Sequence, residues 1–257
     1  MYNNNYYNTK PMEFEDKLSL FIDFLEERDY MRFIEIPYLW QIYMEFIGKE
    51  IYETIAISGR EKFILKEVSL IIENLNDELK FIEKKAELDK EFQRWQKKIE
   101  LYEDSINKVQ EIHRENPFDL AQNHEYRDLY KNIAYNIYPI LNAKEEKKWK
   151  ETMEAYKNID NEKLKKIYLY CQTKDVIKKI DYEVLNNLDD YLDKIKHDIK
   201  KMKNSFPLAF REDILDYLWM EQLCKDMKYK NENLRKQMTL LREQVNLMKS
   251  NLYENKK

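Results

Sequence analysis

The chain has 257 residues with only 2 glycines and 5 prolines, while 37% of its residues are charged and 43% are apolar or aromatic. Two glycines cannot turn a sheet of several hairpins, and straight-chain charged residues with leucines at helical spacing favour helix, so an all-α fold is expected. The formal net charge of −4 comes from interspersed acids and bases, the pattern of solvated helix faces rather than of a nucleic-acid footprint.

Residues 1–12 form a polar, Asn-rich stretch closed by Pro11, which reads as a disordered tail with no signal-peptide pattern. Residues 13–35 predict a helix with Phe14, Leu18, Phe21, Ile22 and Leu25 on one side. Pro37 suits the first turn of the next helix, where a missing N–H is tolerated. That helix carries Tyr38, Trp40, Tyr43, Met44, Phe46, Ile47 and Ile51, whose aromatic members are expected in the core. The apolar run Phe33–Gly48 is interrupted by Glu35, Gln41 and Glu45, and falls short of the ~20 residues a membrane span needs. A soluble, cytoplasmic protein with no membrane contact is the expectation.

Gly48 reads as a close-packing site and Ser58-Gly59 as a kink. Val68, Ile72, Leu75, Leu79, Ile82 and Ala86 step by three and four. Leu88, Phe92, Trp95, Ile99, Tyr102, Ile106 and Val109 do so in another phase. The slip between Ala86 and Leu88 predicts a chain reversal near Lys84–Leu88 and an antiparallel helix pair. This N-terminal helical arm is expected over 13–116, where Asn116-Pro117 ends it.

Residues 117–171 predict a small helical module in which Tyr126 to Ile167 reads as helix, a tight break at Pro139, then a second helix. After it, Leu185, Leu188, Leu192, Ile195, Ile199 and Met202 form a stripe that ends at Ser205-Phe206-Pro207. The last helix shows a heptad register with Asn231 at an a position and Leu234 and Leu241 at d, where a buried asparagine fixes register at some cost in stability. Residues 172–257 are therefore expected to fold as an antiparallel helical hairpin around Pro207, with a parallel homodimer through the final helix as the rival. Monomer and homodimer both stay open.

The module resembles the second half of a J-domain, the unit by which DnaJ-type co-chaperones stimulate a DnaK-type ATPase. Tyr126, Tyr130, Ala134 and Ile137 would form the inner face of the first helix, and Trp149, Met153 and Tyr156 that of the second. Asn142 matches a polar position after the loop. The Asn158-Ile159-Asp160-Asn161-Glu162 stretch resembles a turn in a divergent group of long helical bacterial proteins, which carry a degenerate J-like module between coiled-coil arms. Tyr38–Trp95, Ser205-Phe206-Pro207 and Trp219 are similar to the arms of that group. The resemblance implies an elongated all-α protein with helical arms flanking the module.

Where the family carries His-Pro-Asp, this chain reads Tyr138-Pro139-Ile140. Neither the imidazole nor the carboxylate that engages the ATPase is present, so those charge-assisted hydrogen bonds cannot form. The helix before the loop is balanced, with Glu125 and Asp128 offsetting Arg127 and Lys131, so the basic face that steers association is missing too. A DnaK-type chaperone is disfavoured as a partner.

No catalytic constellation is read. His113, His124 and His197 match no metal-ligand spacing, Cys171 and Cys224 suggest small buried hydrophobes, and no Gly-rich phosphate loop or nucleophile elbow occurs. No enzyme, metal or cofactor is expected. The expected role is a non-catalytic adaptor or scaffold for protein partners. The alternatives are a co-chaperone acting through a different surface, and nucleic-acid binding through lysine-rich faces such as Lys147-Lys148-Trp149-Lys150 and Lys194–Lys203.

Overall fold

The computed structural model describes residues 14–74, 78–111, 124–173 and 182–254. Every regular element among them is helical. The expected tail, His113 and Pro117 lie outside the described residues. Helices follow in the order α1 (Phe14–Tyr30), α2 (Ile36–Glu73), α3 (Glu78–Glu111), α4 (His124–Ile137), α5 (Glu146–Lys157), α6 (Asn161–Thr173), α7 (Tyr182–Lys203), α8 (Arg211–Leu215) and α9 (Tyr217–Glu254). No helix among the described residues is long and apolar enough to cross a membrane.

The chain divides into two compact units, each assembled from two separate stretches: Met1–Leu39 with Arg114–Arg211, and Trp40–His113 with Glu212–Lys257. This differs from the expected succession of arm (13–116), module (117–171) and hairpin (172–257). The first helix and the module share one unit, and the two segments expected to pair around Pro207 belong to different units.

In the first unit, α1 does not stop before Pro37. The chain passes from Tyr30 to Ile36 in right-handed helical conformation through a π-helical turn, Met31–Glu35, in which the Ile36 N–H donates to the Met31 carbonyl. Proline has no N–H, and its ring crowds the carbonyl four residues earlier. The wider i→i−5 bonding absorbs both defects without breaking the helix. Helix α7 lies parallel to α1, with Lys17 2.8 Å from Asp189, Lys196 over the Phe24 ring and Lys203 2.7 Å from Glu27. Its buried Leu188, Leu192, Ile195 and Ile199 supply the apolar side of that contact. In α6, Leu164, Ile167 and Cys171 are buried at the three-four spacing that makes a core stripe.

In the second unit, α2 and α3 are antiparallel: Gly48 faces Ile106, Phe63 faces Phe92 with ring centroids 5.0 Å apart, and Glu73 lies 3.7 Å from Lys84. The reversal falls between Glu73 and Glu78, not at Lys84–Leu88, where α3 is unbroken. The first apolar series therefore ran across the turn; its members Ile72, Leu79 and Ile82 are exposed, whereas Leu88 and Ile106 of the second series are buried. No break occurs at Ser58-Gly59 either. A Cβ at Gly59 would overlap the indole of Trp95, so that glycine marks a close approach of two helices. Trp40 is exposed rather than core, while Leu39 of the first unit and Met44 and Ile47 of the second are buried.

Helix α9 lies parallel to α2. Asp216 starts it, its carboxylate accepting from the N–H groups of Leu218 at 2.9 Å and Trp219 at 3.3 Å, the geometry of an N-cap. Met220, Asn231, Met238 and Val245 are buried and Leu234 and Leu241 half-buried. The Asn231 side chain accepts from the Thr54 hydroxyl at 2.6 Å and donates to the Glu50 carboxylate at 3.0 Å. The register asparagine thus specifies α2 of its own chain, in place of the expected antiparallel hairpin partner at 182–203.

Candidate functional site

Tyr126, Tyr130 and Ala134 stand four residues apart on α4 and so share one face. Trp149, Met153 and Tyr156, four and then three residues apart, share one face of α5. The two faces meet antiparallel. Tyr126 stacks on Tyr156 with ring centroids 4.9 Å apart, Tyr130 lies 4.3 Å from Tyr156, and Trp149 is edge-on to Tyr130 at 5.6 Å. The Tyr126 hydroxyl donates to the Tyr156 carbonyl. Ala134 is fully buried, which lets α5 approach, and Met153 sulfur sits 3.8 Å from the Tyr130 hydroxyl.

The connection is a tight turn. The Tyr138 N–H donates to Ala134, and the Tyr138 carbonyl accepts from Leu141 and Asn142, both at 2.8 Å. Pro139 occupies the second position of this turn, where its fixed φ is already correct. Tyr138 is half-buried, edge-on to Trp149 at 5.0 Å and to Phe21 of α1 at 5.6 Å. Arg28 hydrogen-bonds its hydroxyl, yet burial raises the Tyr138 pKa above the ordinary value. Ile140 is half-buried. Tyr138, Pro139 and Ile140 are thus all half-buried, with the Tyr138 ring packed inside the unit.

At its far end, α5 closes with the N–H of Asp160 donating to Ala155 at 2.9 Å and that of Ile159 to Tyr156 at 3.1 Å. This Schellman arrangement places Ile159 at φ 56°, a left-handed conformation usually taken by glycine. Asp160 then caps α6 by accepting from the Lys163 N–H at 2.9 Å.

Beneath the ring cluster lie two acids that the sequence reading did not single out. Glu26 and Asp29 of α1 are each 1% exposed. Glu26 accepts both arms of the Arg127 guanidinium, Nε at 2.6 Å, and the Tyr156 hydroxyl at 3.0 Å. Asp29 accepts from Arg28 at 2.8 Å and from the Tyr130 hydroxyl at 2.5 Å. Each buried charge is therefore paired and hydrogen-bonded, the condition for tolerating it at all. Tyr130 and Tyr156 are held well above the ordinary phenol range, first by burial and then by the adjacent carboxylates. A signal for Asp29 was present: it continues the stripe Leu18, Ile22, Leu25 by a further step of four, an acid where an apolar residue is due.

Arg127 also stacks on the Tyr30 ring, its guanidinium carbon 4.8 Å from the centroid. Lys131 is paired with Asp23 at 2.7 Å, and Glu125 with Lys165 at 3.1 Å. The charges of α4 are thus balanced by α1 and α6, not within α4 as the sequence suggested. Glu26 and Asp29 are enclosed by fixed donors, so their chemistry here is that of a structural clamp.

No group of three or more His, Cys, Asp or Glu side chains that could hold a metal ion occurs among the described residues. His197 is exposed, Cys171 is buried with its thiol pushed up to about 11 by burial, and Cys224 is half-buried. No protein-family model matches the chain, and no curated protein or solved structure matches it at a significant level.

Proposed function

We propose that this protein is a non-catalytic adaptor that holds protein partners on its helices. One observation carries the reading. Helix α9 has a second apolar stripe on the face opposite its buried seam: Leu218, Tyr229, Leu240 and Leu247 are 72%, 68%, 60% and 65% exposed. Their spacing of eleven, eleven and seven residues keeps them on one side of the helix. Large exposed apolar side chains that recur on one side of a long helix, with Lys225, Lys236 and Glu243 between them, offer spaced anchor points of the kind a partner helix or groove takes up.

The J-like segment supports the adaptor over a co-chaperone. Arg127 and Lys131, which would supply a steering basic face, are engaged by Glu26 and Asp23. Tyr138 is lodged between Phe21 and Trp149. Lysines of the two basic patches are similarly committed: Lys148 to Glu151, Lys150 to Glu146 and Lys203 to Glu27, which weakens the nucleic-acid alternative.

Site-specific photo-crosslinking in the cells of origin tests the reading. A crosslinker at Leu240 or Leu247 is expected to give discrete protein adducts that one at Asn246, exposed about 100° round the helix from Leu247, does not. Adducts identical at all three positions would defeat it. So would acceleration of a DnaK-type chaperone's ATP turnover by the purified protein.

A further inference from the structure

In the second unit, α2 and α9 are joined by a ladder of polar rungs spaced seven residues apart on each helix. Glu53 pairs with Arg235, Nε to Oε1 at 2.8 Å, and Glu67 pairs with Lys249 at 2.8 Å. The rung midway between them is Arg60 on α2 and Arg242 on α9. Acid faces base on either side, but here two cations occupy the same level of a parallel pair. Neither arginine makes an ion pair among the described residues. Like charges placed opposite one another are unfavourable unless something negative lies between them.

Both arginines line a cavity of about 320 Å³ bounded by α2, α3 and α9. Its two carboxylates are already taken: Lys85 lies 2.5 Å from Asp89 and 3.4 Å from Glu67, and Lys249 holds Glu67 as well. The lining therefore carries an excess of two positive charges, both from exposed guanidiniums that solvent can reach. Phe63 and Phe92 form an apolar wall of the same cavity. Paired guanidiniums offer forked donors that fit phosphate oxygens, and an aromatic wall suits a planar or apolar substituent.

We infer that Arg60 and Arg242 form a binding site for a phosphate monoester dianion whose organic part rests against Phe63 and Phe92. The anion completes the alternation of the ladder, so its binding stabilises the second unit. This goes beyond the adaptor reading and does not rest on it.

Thermal unfolding and calorimetric titration of the full chain with inorganic phosphate and with phenyl phosphate test the assignment. Both anions are expected to raise the unfolding temperature above that in chloride of equal ionic strength, phenyl phosphate binding the more tightly. Arg60→Gln and Arg242→Gln should each weaken binding by about tenfold or more. Arg242→Glu supplies the missing acid, so it should raise the unfolding temperature without any anion and abolish the response to phosphate. The proposal is overturned if phosphate does no more than chloride, or if the response survives in the Arg60→Gln, Arg242→Gln double variant. Binding only to vesicles bearing phosphatidic acid, with neither soluble phosphate bound, would overturn the small-ligand assignment.

Discussion

The side-chain amide of Asn231 donates to Glu50 twice, to its backbone carbonyl at 2.9 Å and to its carboxylate at 3.0 Å. Both residues are buried, and the Thr54 hydroxyl completes the set by donating to the Asn231 oxygen. This polar layer sets which helix α9 pairs with and in which register. Asn231→Leu leaves the Glu50 carboxylate without that donor, at an expected cost of about 2 kcal/mol. Adding Glu50→Leu removes the stranded charge and should recover most of the loss. Urea unfolding of both variants checks the pair. A double variant as unstable as the single one would show that the layer contributes through packing alone.

The all-helical fold was legible in the sequence because it follows from glycine scarcity and helical periodicity, both local properties. So was the ring cluster of the module, since Tyr126, Tyr130, Trp149 and Tyr156 fall at helical spacing on either side of a proline turn. The chain reversal was misplaced because apolar residues continued at three-four spacing across it. Asn74 follows the end of α2, and the sequence from there to Glu78 has no glycine or proline, so the punctuation is weak and periodicity outweighed it. Pairing of α7 with α1 and of α9 with α2 was not legible. It depends on matches such as Lys203 with Glu27 and Asn231 with Glu50, which lie more than a hundred residues apart in sequence.

The ion pair of Glu26 with Arg127 is lopsided: the acid is 1% exposed on its side chain and the arginine 34%. Removing the arginine strands a charge that water cannot reach, whereas removing the acid leaves a guanidinium that can hydrate. Arg127→Met is expected to cost about 3 kcal/mol or more, and Glu26→Met less. The Glu26→Met, Arg127→Met double variant should lie within about 1 kcal/mol of the parent, since a buried pair replaced by apolar groups is often near neutral. Denaturant unfolding with near-ultraviolet circular dichroism, which reports the tyrosine cluster, gives all three values.

The two glycines lie on the same helix but tolerate alanine differently. At Gly48 the added Cβ would lie 3.0 Å from the Ile106 methyl and 3.4 Å from the end of Met44, both able to shift slightly. Alanine there should be neutral or stabilise by up to about 1 kcal/mol through helix propensity. At Gly59 the methyl meets the Trp95 indole, which is itself packed 5.5 Å from Phe92 and 5.7 Å from Phe63. Gly59→Ala should therefore destabilise by about 2 kcal/mol, the range for overpacking a filled contact. Combining it with Trp95→Leu should cost less than the sum of the two single changes. Thermal melts of the four variants decide the point, and simple additivity would reject the proposed overlap.

Tyr30 gives the first unit an alkaline weakness. Its phenol is pushed up to about 12, first by burial and then by Glu35, against the opposing influence of Arg127. The protonated, neutral phenol is the form that the fold favours. Between about pH 10 and 12 the folded chain holds this proton while the unfolded chain releases it. The stabilisation is complete below the ordinary phenol pKa and is lost as pH rises through the folded value. Unfolding midpoints in urea should accordingly fall across that window. Tyr30→Phe removes this ionisation, so whatever it costs at pH 8 should shrink steadily as the parent weakens toward pH 12. Midpoints of parent and variant that fall in parallel would show that the alkaline loss comes instead from the more deeply buried Tyr130 and Tyr156.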